Sequence, residues 1–308
     1  MSLFSRIRMV TAAAALCWAM FFGAAAQATI ARFQTSLGNI DVRLYNSATP
    51  LTVANFLAYA SANRYDGTFI HRSPPGFVVQ GGGFYFTPPN SVAPVVDPAN
   101  PDPPVLNEPG ISNKRGTIAM AKLGSNPNSA TSQWFFNVGD NSGPPAALDT
   151  QNGGFTVFGR VVANGMSVVD AIDLLPQADL DGAGGQTFDQ VPLRGTSSDT
   201  LANRLVHITS VDVLNLPAGD YDFNGVVNMA DYSVWRQSYD STTAAEADGN
   251  GDGIVDVADF VVWRNSMSGG AASGSVQSPF AVPEPSAAFM IAAASLLLVG
   301  LRDRSRRS

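Results

Sequence analysis

Residues 68–83 read TFIHRSPPGFVVQGGG, Thr68 to Gly83, and the rest of the chain is read outward from them. Phe69 and Ile70 are strand formers. Arg72 follows, then the turn Pro74-Pro75-Gly76. Phe77, Val78 and Val79 make a second apolar run. Gln80 leads into three glycines, which allow close backbone approach. The expectation is a sheet segment and the turn leaving it, with a buried cation in the middle. Charged residues are mostly exposed. Here, however, aromatic residues flank Arg72, and Gln80 is in place to brace its guanidinium.

Two later stretches bear on the same site. One is Met120-Ala121-Lys122 with NSATSQWFFN, Asn128 to Asn137. The other is Leu148-Asp149 followed by FTVFG, Phe155 to Gly159. In this order and spacing the three segments resemble the cyclophilin family of peptidyl-prolyl isomerases, whose signature reads F-H-R, then P-x-F-x-x-Q-G-G. The resemblance covers roughly residues 30–214. It implies a mainly β fold: a closed antiparallel eight-stranded barrel capped by two helices. It also implies an enzyme that accelerates rotation about Xaa-Pro bonds of proline-containing polypeptides, with no cofactor for catalysis.

By that resemblance Arg72 is the catalytic donor, and Gln80 orients it or holds the peptide. Phe77, Val78, Phe135 and Leu148 wall the proline pocket, and Phe155 supplies an aromatic wall where eukaryotic members have His. Met120, Ala121 and Lys122, with Gln133, align with the segments that bind the peptide. Val78 replaces a common Met, Lys122 a common Asn, and Ala147 a Trp that helps bind cyclosporin. His71 is expected to pack or hydrogen-bond, not to act as a base. A non-catalytic module that binds proline peptides is the alternative reading.

The chemistry fits the inventory. Rotation about an X-Pro amide is opposed by roughly 18–20 kcal/mol of resonance. A donor aimed at the prolyl nitrogen localises its lone pair, and a cation in a dry pocket does this best. The chain offers no usual nucleophilic set: it has two His and one Cys. A net charge of −7 accompanies the expectation of no nucleic-acid partner.

The 308 residues predict about two domains. Residues 1–28 read as a secretory signal peptide: Arg6 and Arg8, an apolar run from Met9 to Phe22, and the cleavage site Ala26-Gln27-Ala28. Cys17 lies within it, so the mature chain has no disulfide. Residues 29–216 form the cyclophilin-like domain. In it, Thr29 to Leu44 alternates as a strand pair around Ser36-Leu37-Gly38-Asn39. Thr49 is an N-cap with Pro50 at the first helical position, and Val53, Phe56, Leu57 and Ala60 share a face. A second helix runs from Asn164 to Leu175, with Met166 in the core. Phe84 to Pro109, with eight prolines from Pro88 onward, reads as an extended surface loop. Gln177 to Asn203 reads as a polar loop insertion, and Leu205 to Leu214 as the closing strand.

Residues 217–268 carry an internal repeat. Asp220-x-Asp222-x-Asn224-Gly225-x-x-Asn228-x-x-Asp231 recurs 28 residues later as Asp248-x-Asn250-x-Asp252-Gly253-x-x-Asp256-x-x-Asp259. Trp235-Arg236 and Trp263-Arg264 mark the helix-like run after each copy. Oxygen ligands at loop positions 1, 3, 5, 9 and 12 with Gly at 6 match a calcium loop. Val226 and Ile254 at position 7 offer main-chain oxygens. Asp rather than Glu at position 12, together with the short repeat, resembles a type I dockerin. That implies a small α-helical module with two Ca²⁺ sites and a possible cohesin-like partner. A role in stabilising the chain in cis, without partner, stays open. This segment alone holds eight Asp, one Glu and two Arg, a net charge equal to the −7 of the whole chain.

Residues 269–281 are a flexible linker, and residues 282–308 the tail. Val282-Pro283-Glu284-Pro285, an apolar run from Ala287 to Leu301 and a basic end resemble the PEP-CTERM sorting signal of exported bacterial proteins. A plain C-terminal anchor is the simpler reading. Either implies a membrane contact, at least transient, and a periplasmic, cell-surface or extracellular location.

Overall fold

The computed structural model describes residues 27–269 apart from 88–90, 97–101, 183–186, 242–245 and 251–253. The expected signal peptide, but for its last two residues, the expected linker beyond its first residue, the expected sorting tail and Asp252 lie outside the described residues.

The strands are β1 (Gln27–Thr35), β2 (Gly38–Leu44), β3 (Val78–Gly81), β4 (Phe84–Thr87), β5 (Ser91–Pro94), β6 (Thr117–Met120), β7 (Trp134–Asn137), β8 (Val157–Val162), β9 (Gln177–Ala178), β10 (Val191–Pro192) and β11 (Ile208–Pro217). The helices are α1 (Pro50–Ser61), α2 (Gly165–Asp173), α3 (Leu201–Arg204), α4 (Met229–Ser238) and α5 (Val257–Gly269). Seven strands form one curled antiparallel sheet in the order β11-β1-β2-β8-β6-β7-β3. The expected closed ladder of eight is thus corrected to seven strands. The place of the eighth is taken by the irregular segment 67–72. Gly67 N donates to Ile208 O (2.8 Å) and Ile70 N to Val206 O (2.9 Å), while Gln80 N reaches Arg72 O (2.8 Å) on the other side. Each edge strand is therefore tied to the segment at its end only. The turn prolines after Arg72 lack an N–H and stop a regular strand there.

The hairpin expected over 29–44 is β1–β2, with Thr35 opposite Gly38. The core is aromatic: Phe33 meets Trp134 at 4.8 Å and Phe136 at 5.4 Å, and Phe56 meets Phe158 at 5.2 Å between centroids. Tilted and edge-on pairs of this kind add to the burial of their own area. Two of the three glycines after Gln80 serve this packing. A Cβ on Gly81 or Gly82 would stand 2.8 or 2.6 Å from the Trp134 ring.

Both expected helices pack on the sheet, through Val53 and Phe56 of α1 and Val169 and Ile172 of α2. Met166 packs partly buried against the same core. Thr49 precedes α1, but its side chain does not cap it. The Glu108 carboxylate does, accepting from Leu51 N (3.2 Å), Thr52 N (2.8 Å) and Thr52 Oγ1 (2.7 Å). An anion at a helix N-terminus satisfies orphan donors and the dipole together. Glu108→Ala is expected to cost about 0.5–2 kcal/mol, the range of a lost cap, read as a lower midpoint in chemical unfolding.

Two expected loops carry structure. Phe84 to Pro109 opens with the hairpin β4–β5. Its proline at Pro94 sits at a strand end, where the missing N–H is tolerated. Within 177–203, β9 pairs β10, and Val191, Leu193 and Leu205 with Phe69 form a small core joined by Phe84, Phe86 and Phe188. This annex covers the outer side of segment 68–72.

The two acidic repeats fold alike. In the first, Asp231 accepts from Tyr221 N (2.7 Å), Asp222 N (3.1 Å) and Asn228 N (2.7 Å). In the second, Asp259 accepts from Asn250 N (3.0 Å) and Asp256 N (2.8 Å). The following helices exchange tryptophans: Trp235 Nε1 donates to Asp256 O (2.8 Å) and Trp263 Nε1 to Asn228 O (2.9 Å). Tyr221, Ala247, Val255 and Trp263 are the buried centre, with Tyr232, Trp235 and Phe260 against them.

Candidate active site

Segment 68–72 alternates. Phe69 belongs to the annex and Ile70 to the barrel core, while the His71 ring meets Phe84 edge-on at 4.9 Å. Arg72 comes out beside Phe77, its guanidinium carbon 6.0 Å from the ring centroid. It is half-buried, not buried as expected. Burial lowers its pKa, and the charge of Asp189 opposes that. Among the described residues its guanidinium makes no hydrogen bond. Gln80 does not brace it; the Gln80 amide donates to Gln133 Oε1 (3.0 Å).

The wall residues do converge. Val78, Phe135 and Leu148 are buried in one apolar cluster with Tyr45, Ala119 and Val157, and Phe77, Ala121 and Phe155 pack on it. Phe135 and Phe155 meet edge to face at 5.8 Å. Beside them a cavity of about 220 Å³ is lined by Gln80, Ala121, Lys122, Leu123, Ser129, Thr131 and Gln133. Met120 does not join this wall; its side chain is in the main core. Lys122 is engaged elsewhere. Its ammonium donates to Gly154 O (2.6 Å), Asn152 O (3.0 Å) and Asn107 Oδ1 (3.3 Å), and lies 4.7 Å from the Phe155 centroid. Burial lowers its pKa.

Sequence reading missed what holds the wall. Asn141 Nδ2 donates to Phe77 O (2.9 Å) and to Asn137 Oδ1 (2.7 Å), while Leu148 N donates to Asn141 O (2.8 Å). Asn141 therefore fixes two walls from separate segments, Phe77 through its side-chain amide and Leu148 through its main-chain carbonyl. It lies in the polar run Asp140-Asn141-Ser142 between Val138 and Leu148, which carries no periodicity. Asp189 was missed too. Its neighbours pair with those of Arg72: Phe188 lies 6.4 Å from the His71 ring, and Ser73 N donates to Gln190 O at 2.8 Å.

His71 is buried, which pushes its pKa from 6.5 down to about 3, helped by the Arg72 charge. It is neutral at physiological pH, as a packing residue should be. Between those two values the unfolded chain binds a proton that the folded chain does not. Stability is therefore full above about pH 6.5 and falls as pH drops toward 3, by at most about 1.4 kcal/mol per unit. Chemical unfolding at about pH 7 and pH 5 should show this loss in the wild type and a smaller one in His71→Gln.

Comparison with known proteins decides what this site belongs to. The family model for cyclophilin type peptidyl-prolyl cis-trans isomerase matches residues 30–195. The chain belongs to the cyclophilin family. A peptidyl-prolyl cis-trans isomerase of Acinetobacter baylyi is 42% identical over 150 residues, 48% of this chain and 73% of that one. Peptidyl-prolyl cis-trans isomerase B of Escherichia coli is 39% identical over 143 residues, 46% of this chain and 81% of that one. The crystal structure of a Cryptosporidium parvum cyclophilin is similar with a TM-score of 0.44 at 20% identity, over 62% of this chain and 100% of that one. The cyclophilin domain is a peptidyl-prolyl cis-trans isomerase, and cyclophilins need no cofactor for catalysis.

Proposed function

We propose that Arg72 is the catalytic donor of this isomerase, acting at the edge of a pocket for the prolyl ring. One observation carries the reading: a half-buried guanidinium with no hydrogen-bond acceptor among the described residues, set beside the apolar cluster of Phe77, Val78, Phe135, Leu148 and Phe155. The prolyl ring enters the cluster, which excludes water. Arg72 donates toward the prolyl nitrogen, whose lone pair leaves the amide resonance, and rotation becomes easier. Gln80 and Gln133 hold the peptide main chain, with Ala121 lining the groove. A coupled isomerisation assay on residues 29–216 tests this against Arg72→Ala. Turnover by the variant as fast as wild type sinks the assignment.

Residues 217–268 are read as a dockerin-like calcium module. Oxygens of Asp220, Asp222 and Asp231 lie within 4.8 Å of one another. Asp220 is buried, which raises its pKa, and Asp231 and Asp222 raise it further against the Gly225 and Asn224 N–H groups. Such a donor set is satisfied by a hard cation, with oxygen ligands only. Asp220, Asp222, Asn224, Val226 O, Asn228 and Asp231 would hold one Ca²⁺. Asp248, Asn250, Asp252, Ile254 O, Asp256 and Asp259 would hold the second. The ion would neutralise the carboxylates; it has no part in isomerisation. Export under the leader at 1–28 and a membrane-associated stage through 282–308 complete the reading, with a cohesin-like module as possible partner. Among the described residues no helix is long and apolar enough to cross a membrane; the candidate span at Ala287 to Leu301 is not among them.

A further inference from the structure

The outer face of the barrel carries a feature that catalysis does not use. Along β2, Ile40, Val42 and Leu44 fill the core, so Arg43 points outward. The register places it directly opposite Arg160 of β8. Like charges opposed on neighbouring strands are destabilising, yet both arginines are buried, at 4% and 7% exposure. The second acidic repeat covers Arg43. Its Nη1 donates to Asp248 O (2.5 Å) and Glu246 O (3.3 Å). Its guanidinium carbon lies 5.7 Å from the Tyr221 ring centroid, and the Tyr221 hydroxyl donates to Asp259 O (2.7 Å). The first and last ligand positions of that loop are thereby gripped, one directly and one through Tyr221. The partner segment has the complementary charge, with most of its ionisable groups acidic.

We propose that the Arg43–Arg160 face of the barrel is a docking pad for the chain's own second acidic loop, and that Arg43, by fixing the main chain at Asp248, couples cation binding in that loop to the packing of β2. The coupling half rests on the calcium reading above. Docking alone does not. A buried guanidinium needs acceptors; the loop's carbonyls supply two in cis, both to Nη1, while the buried Nη2 has none among the described residues. Coupling is reciprocal: whatever factor Arg43 adds to cation affinity, the cation returns to the docked state. The first loop meets Arg43 only through the Tyr221 ring and makes no hydrogen bond to it among the described residues, so the two sites should differ in degree.

The test uses the full chain and calcium alone as ligand. Calorimetric titration gives the two affinities, and Asp231→Ala identifies the first loop. Amide exchange reports on Asp41 to Leu44 and on Glu246 to Asn250. Arg43→Lys keeps the charge and stem but loses the planar fork; Arg43→Met removes both. We expect about tenfold or greater weakening at the second loop, within the usual range of coupling, and a smaller one at the first. We also expect calcium to slow exchange in β2 of the wild type but not of the variants. If Arg43→Met does not fold, Arg43→Lys and the wild-type exchange decide alone. Equal affinities in wild type and Arg43→Lys, with β2 exchange indifferent to calcium, overturn the coupling and leave the calcium reading standing. No calcium uptake by the wild type overturns both. Rapid exchange of Glu246 to Asn250 in every buffer overturns the docking itself.

Discussion

Arg72→Ala is expected to lose most of the isomerisation rate, about 10²–10³-fold, the loss found when one preorganised donor is removed from a dry site. The fold should survive. Among the described residues the guanidinium makes no hydrogen bond, and the nearest aromatic, Phe77, stays anchored by Asn141. Arg72→Lys should not rescue. An ammonium at the end of a flexible stem is a point charge, strongly hydrated, and lacks the rigid planar fork. Burial beside the apolar cluster already lowers the Arg72 pKa, and a lysine there would be still more easily discharged. The check is kcat/KM of a Xaa-Pro peptide for the three proteins, with near-UV circular dichroism as the control for packing. Wild-type turnover by Arg72→Ala would remove Arg72 from the mechanism; wild-type turnover by Arg72→Lys would remove the need for the planar fork.

The second large effect is metal removal. In chelator, α4 and α5 are expected to lose their helicity while the barrel sheet remains. The reason is electrostatic. Asp220 and Asp231 are wholly buried, Asp259 likewise, and Asp248 nearly so. Carboxylates in such surroundings repel one another, and the apolar centre of this unit is small: Tyr221, Ala247, Val255 and Trp263. Small units that bind metal in this way couple folding to loading. Amide exchange on the full chain reads it directly. Protection of 229–238 and 257–267 in millimolar calcium and loss of protection in chelator is the expected pair. Equal protection in both buffers would mean that the repeat is not a calcium-dependent fold. The barrel should respond only at β2, through Arg43.

Much of this was written locally. The β1–β2 hairpin, α1 and α2 follow from alternation, a proline at a helix start and apolar faces at helical spacing. The pocket walls came from three separated segments, and their resemblance to one family marked Phe77, Val78, Phe135 and Leu148 as neighbours before any packing was known. What failed to show was tertiary. β4 and β5 hide in a proline-rich composition because their ladder needs only residues before Pro88 and up to Pro94. The annex hides in a polar stretch because Phe188, Val191 and Leu193 have no common period. Asp189 and Asn141 act through partners far away in sequence. Lys122 sits in a motif position, yet the loop at 152–154 claims its ammonium. The eighth strand was expected from family shape, whereas the segment before Pro74 and Pro75 makes only isolated bridges, at Thr68, Phe69 and Arg72.

Exchange spectroscopy of a saturating Xaa-Pro peptide, with chelator present, separates holding the peptide from turning it. If the account is right, wild type and Arg72→Ala bind the peptide with similar affinity, the wild type accelerates cis-trans exchange without metal, and the variant does not. A wild type that binds the peptide and leaves the exchange rate at that of free solution would contradict it.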